Sequence, residues 1–169
     1  MEIPHIDLSI FPTATDAATW FMKCLMHMPK KHAESNSKVE STTYISTLPF
    51  FTPDPPCGTI EYASSVSHCN LFESSIYIYA FILGFRVYKT KPEIFHYQTL
   101  YKIFATLLML SYKMLSDEPQ TMETFSHVFG IEWQELHTLE IEILGILKYN
   151  TFVSFRLFTR TINSMRQKV

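Results

Sequence analysis

Residues Tyr101–Tyr149 read YKIFATLLMLSYKMLSDEPQTMETFSHVFGIEWQELHTLEIEILGILKY, and this stretch decides the fold. From Ile103 to Leu110 it is apolar nearly all round, the composition of a helix at the centre of a bundle. That helix runs from about Phe95 to Leu115, where Ser116-Asp117-Glu118-Pro119 ends it. Thr121 is placed to cap a small helix, and Gly130 closes it where φ can be positive. A long amphipathic helix follows over about 132–148, with Leu136, Leu139, Ile143, Leu144, Ile146 and Leu147 as its stripe and Asn150 as its stop. Two charges stand out. Lys113 follows the uncharged run Ile103–Tyr112, and Glu140 interrupts a run that otherwise supplies apolar residues.

Outward from this unit, the pattern is helical on both sides. Phe72–Tyr88 is apolar on nearly every side. Its IYIY could read as a strand, but the run continues with i,i+4 matches and no turn signal, which favours helix. Lys89–Glu93, with Pro92, reads as a loop. Thr59 is placed to cap a short helix to about His68, which Asn70 breaks. Thr15 or Asp16 is placed to cap an N-terminal helix that Pro29 ends near Met28. Its Met22, Met26 and Met28 beside Trp20 and Phe21 read as packing on the core. Lys30–Thr47 is polar and unpatterned, a loop or linker. Leu48–Pro56 reads as extended chain anchored by Phe50 and Phe51. A last helix, about 153–166, is amphipathic (Val153, Leu157, Ile162, Met165) and basic (Arg156, Arg160, Arg166).

Composition bounds the function. A chain of 169 residues with 47% hydrophobic and 15% aromatic residues can bury one sizeable core. Only 4 glycines are present, which argues for an all-α fold and against the glycine-rich loops of nucleotide-binding α/β domains. A net charge of −2 gives no broad case for nucleic acid. The longest apolar runs are about ten residues, half of what a membrane span needs. None of the 7 His forms HxxxH or HExxH, and the 3 Cys lack CxxC spacing, so no metal and no cofactor is expected. His127, in the small helix, reads as partly buried. Asp117 and Glu118 are adjacent on a turn with no pocket implied, so no catalytic pair is expected. With no basic n-region at its start, the chain is expected in the nucleus, the cytoplasm or both.

The order of features in Ala105–Tyr149 resembles a cyclin box. The pattern there is a central helix ending in Ala/Ser-x-Lys, an acidic turn, a small helix, a Gly, a Glu-Leu pair and Leu-Glu-x-x-x-Leu. Here these are Ser111-Tyr112-Lys113, Ser116-Asp117, Phe125–Gly130, Glu135-Leu136, and Leu139-Glu140 with Leu144. The spacing is most similar to the single-box P-type or U-type cyclins of the phosphate response. The resemblance implies a five-helix bundle around a central apolar helix, with an extra N-terminal and a C-terminal helix. It divides the chain into an extension over 1–55, a box over 56–150 and a basic amphipathic helix within 151–169.

The resemblance implies a regulatory subunit, not an enzyme. Its partner would be a cyclin-dependent kinase of the phosphate-response class. In cyclins the residues matching Lys113 and Glu140 hydrogen-bond to kinase backbone beside the mobile αC helix and so hold that helix in its active position. The implied kinase-binding set is Lys113, Met114, Glu140, Leu144 and Tyr149. Taken alone, Lys113 would read as a solvated charge meeting a helix C-terminal dipole; the complete pattern favours the functional reading. The chain departs from the family elsewhere. Its first box helix has Glu61 and no Arg, Leu83–Gly84 stands where an internal Asp would pair with that Arg, Tyr101-Lys102 replaces a His-Arg, and Thr151 replaces an apolar contact. These departures motivate the alternative, a cyclin-like scaffold for a non-kinase partner.

Overall fold

The computed structural model describes residues 11, 13–28, 47, 49–53 and 57–166. The loop expected over 30–46, the prolines at 55 and 56, and the lysines at 30, 31 and 168 lie outside these residues. All regular structure among the described residues is helical. The helices are α1 (Ala14–His27), α2 (Thr59–Ser67), α3 (Ser74–Thr90), α4 (Tyr97–Leu115), α5 (Met122–Phe129), α6 (Trp133–Ile146) and α7 (Phe155–Arg166), with a 3-10 turn at Pro92–Ile94. The IYIY stretch lies inside α3, where Ile76–Ala80 are all buried.

Helix α4 is central, as its composition demands. Ile103 through Tyr112 are all buried, and α3, α6, α1 and α2 all pack on it. The two aliphatic hydroxyls in this run return to the helix's own carbonyls. Thr106 donates to Lys102 O at 2.7 Å and Ser111 to Leu107 O at 2.7 Å, so neither leaves an unmet polar group in the core. Helix α1 shares the same core. Ala17, Ala18, Phe21, Met22 and Leu25 are fully buried, and Phe21 stacks on Phe104 of α4 at 5.2 Å between ring centroids. The α1 methionines therefore pack inward, with Met22 and Met28 buried. Gly84 lets α3 approach α1 and α4: a Cβ there would meet Leu107 Cδ1 at 3.1 Å and Leu25 Cδ2 at 3.5 Å.

Several ends differ from expectation for local reasons. Thr13, not Thr15 or Asp16, caps α1; Asp16 reaches back to Thr13 N at 3.1 Å and completes a capping box. Gly58 precedes α2, with Glu61 accepting from Gly58 N at 3.2 Å, while Thr59 is buried inside the helix. Helix α3 runs on to Thr90, and the expected loop continues as the Pro92–Ile94 turn. Helix α6 ends at Ile146, with Leu147 as its C-cap, just short of the expected end near 148, because Lys148 (φ 51°) and Tyr149 (φ 58°) turn left-handed. Thr121 does cap α5, and Gly130 ends it with φ 64°. His127 is exposed, not partly buried: Phe125 and Phe129 take the inner face of α5. In α7 the inward residues are Phe158 and Ile162, and Leu157 is exposed. Phe50 is an anchor at 1% exposure, and Thr52 N donates to Gln98 O at 2.8 Å.

Candidate functional site

The two outstanding charges meet. Lys113 sits in the last turn of α4, just past the buried Ser111 and Tyr112. Glu140 lies on α6 beside the buried Leu139, so burying Leu139 and Ile143 turns Glu140 toward the edge of α4. Lys113 Nζ is 2.6 Å from Glu140 Oε1, with side-chain exposures of 36% and 13%. The same ammonium lies 3.7 Å from Met122 Sδ. The second Glu140 oxygen is 3.9 Å from His137 Nδ1, a contact that is ionic only when the imidazole is protonated. An ammonium has three donors and a carboxylate about four acceptor positions. After the mutual bond and the Met122 contact, the ammonium keeps one donor and the carboxylate keeps most of its acceptor positions.

The remaining expected residues lie on the same two helices or in the segment that follows α6. Met114 is 43% exposed, and its sulfur accepts from Thr151 Oγ1 at 3.4 Å. Leu144 is partly buried against the core, and its carbonyl accepts from Tyr149 N at 2.8 Å. Tyr149 projects from the end of α6 and is 71% exposed. Phe152, which was not in the expected set, is 68% exposed in the same segment.

Two residues of α3 hold that segment. Tyr79 donates its hydroxyl to Thr151 O at 2.9 Å and accepts from Val153 N at 3.1 Å. Arg86 Nη1 donates to Asn150 O at 3.2 Å and to Phe152 O at 2.9 Å. Burial pushes the Tyr79 phenol upward, with the Val153 N–H and Arg86 opposing, so it stays a neutral donor. Sequence reasoning missed both. One signal was present for Arg86, the only charge between Glu73 and Lys89.

Beneath the site, α4 and α6 are joined a second time. Lys102 Nζ pairs with Glu135 Oε1 at 2.5 Å and donates to Phe51 O at 2.8 Å. Tyr62 and Tyr101 both donate to the Phe129 carbonyl, one of those left without a partner at the end of α5. Burial raises both phenols, Tyr62 well above its ordinary value, with Tyr101 beside it adding to the shift. Among the described residues, no group of three or more His, Cys, Asp or Glu is placed to hold a metal ion. No helix there is long and apolar enough to cross a membrane.

A protein-family model described as Cyclin matches residues 20–151. The chain belongs to the cyclin family. The match opens inside α1 and closes at Thr151, in the segment gripped by Tyr79 and Arg86. Within the family it belongs with the P-type cyclins. A comparison with curated protein sequences gives no match. Cyclins are non-catalytic regulators of protein kinases, so membership gives this chain the role of a regulatory subunit of a cyclin-dependent kinase. The all-helical bundle around α4 is the architecture that membership requires.

Proposed function

We propose that this cyclin binds and activates a cyclin-dependent kinase of the phosphate-response class, through a face centred on Lys113 and Glu140 and flanked by Met114, Leu144 and Tyr149. The supporting observation is the Lys113–Glu140 contact at 2.6 Å, at the junction of α4 and α6. Each side chain holds the other in place, and each keeps donors or acceptors for a backbone segment entering beside it. The exposed Met114 and Tyr149 supply apolar contact around that polar centre. A partner helix held by such a pair is favoured in one of its positions. Binding that state more tightly shifts the kinase toward its active form, and the cyclin contributes no catalytic group. A stable complex would bury about 1,200 Å² or more in total.

The test is affinity purification of the chain with identification of the co-purifying kinase, repeated with Lys113→Ala/Glu140→Ala. The expected result is a folded double mutant that no longer retains or activates the kinase. Undiminished binding and activation would overturn the assigned face. A partner set with no kinase activity would favour the scaffold reading instead.

A further inference from the structure

A second site lies outside the proposed kinase-facing surface, where α1, α3 and α7 meet. A trough of about 870 Å³ opens there, within the ~300–1,000 Å³ typical of small-molecule sites. Its wall is a continuous ladder of rings. Phe11 lies 5.1 Å from Trp20, Trp20 5.0 Å from Phe81, and Phe81 6.4 Å from Phe85, between centroids. Leu157 of α7 faces the trough from the other side. Phe85 is 44% and Leu157 36% exposed, so apolar surface is left open to water.

The charged side chains lining it are, among the described residues, of one sign. Arg86, Lys89 and Arg160 line the trough, and among the described residues no Asp or Glu does. Lys89 Nζ sits 4.7 Å above the Phe85 ring, at the end of the ladder. The hydroxyls present are already engaged: Thr161 donates to Leu157 O and Ser164 to Arg160 O, both at 2.9 Å. The lining has therefore spent both of these hydroxyl protons and keeps the three cations as its charged donors. It offers an apolar bed and a cluster of cations.

The geometry points to a binding site for a free amphiphilic carboxylate, a molecule of the fatty-acid class, with its tail along the ring ladder and its head among Arg86, Lys89 and Arg160. A bare anion would leave the rings in water. A neutral apolar molecule would leave the cations without a counter-charge. Only a molecule carrying both parts satisfies the whole trough. The site stands whether or not the kinase reading holds. Arg86 also grips the Asn150 and Phe152 carbonyls, so an anion in the trough competes with those carbonyls for its guanidinium.

Monomeric dodecanoate titrated into the full chain tests this. Trp20 emission is the signal, read in a Trp133→Phe background so that the second tryptophan is silent. The expected result is saturable one-site binding, with dodecylammonium at least about tenfold weaker because only the head charge differs. Lys89→Glu/Arg160→Glu, checked by circular dichroism for an unchanged fold, should remove that preference. Arg86 is left intact because it has a second role. Equal affinity for the two amphiphiles, or an unchanged preference in the double mutant, would overturn the assignment. Binding to anionic vesicles or to an acidic amphipathic peptide without binding to dodecanoate would overturn it as well.

Discussion

Two lysine–glutamate pairs join α4 to α6, and they are built in opposite senses. At Lys102–Glu135 the lysine is the covered partner, 13% exposed against 41% for the glutamate. At Lys113–Glu140 the glutamate is covered, 13% exposed, and the lysine stands out at 36%. Lys102 directs its donors inward, to Glu135 and to the Phe51 carbonyl, and so ties the 49–53 segment to the bundle. Lys113 reaches only side-chain atoms among the described residues, Glu140 Oε1 and Met122 Sδ, and keeps one donor. Similar residues on the same two helices are thus satisfied to different degrees. One pair is consumed by the fold, and the other is left with capacity for a partner.

Substitutions should separate these roles. The largest effect is expected from Glu140→Lys, which sets two ammonium groups side by side. Kinase affinity should fall by about 100-fold or more, as expected for losing a hydrogen-bonded interface charge, measured by titration against the purified kinase. Lys102→Met should act on the fold instead. It keeps the apolar stem but leaves the Phe51 carbonyl without its donor. A loss of ~1–2 kcal/mol is expected, read as a melting point lower by several degrees. Kinase affinity per folded molecule should not change.

A third expectation concerns the buried tyrosines of the bundle. Burial raises Tyr62, Tyr77, Tyr79 and Tyr101 above the ordinary value of 10.0. Unfolded tyrosines ionise near that value while these folded ones stay protonated. Their stabilisation is fully present below about pH 10 and is lost as pH rises further. Thermal melts in that alkaline range should show a shallower decline for Tyr62→Phe/Tyr101→Phe than for the unaltered chain. The smallest effect is expected for the stability of Lys113→Ala. The pair is partly solvated, and its loss should change folding by no more than ~0.5–1 kcal/mol in denaturant titration. A larger change would mean that this pair, too, is consumed by the fold.

Much of this was legible in the sequence because it rests on local periodicity. The all-round apolar run Ile103–Leu110 could only be central, and Gly130 could only be an end. The meeting of Lys113 and Glu140 was implied by the resemblance to the cyclin box, since taken alone each would read as a solvated surface charge. Helix starts were less legible where good caps crowd together. Thr13, Thr15 and Asp16 compete, and the reciprocal bond between Thr13 and Asp16 decides it. The grip of Tyr79 and Arg86 on Asn150–Val153 could not be read, because those partners lie far apart in the chain and a tyrosine in an apolar helix looks like core. The Lys102–Glu135 pair was hidden for the same reason. Lys102 registered only as a departure from a motif, although it proves to be the anchor of the segment before α2.

The central claim is that the outward pair serves the kinase and the inward pair serves the fold. Kinase affinity should be measured side by side for Lys113→Ala/Glu140→Ala and for Lys102→Met, each corrected for its folded fraction. The account predicts a large loss of affinity for the first and none for the second. Equal losses, or a loss only for Lys102→Met, would contradict it.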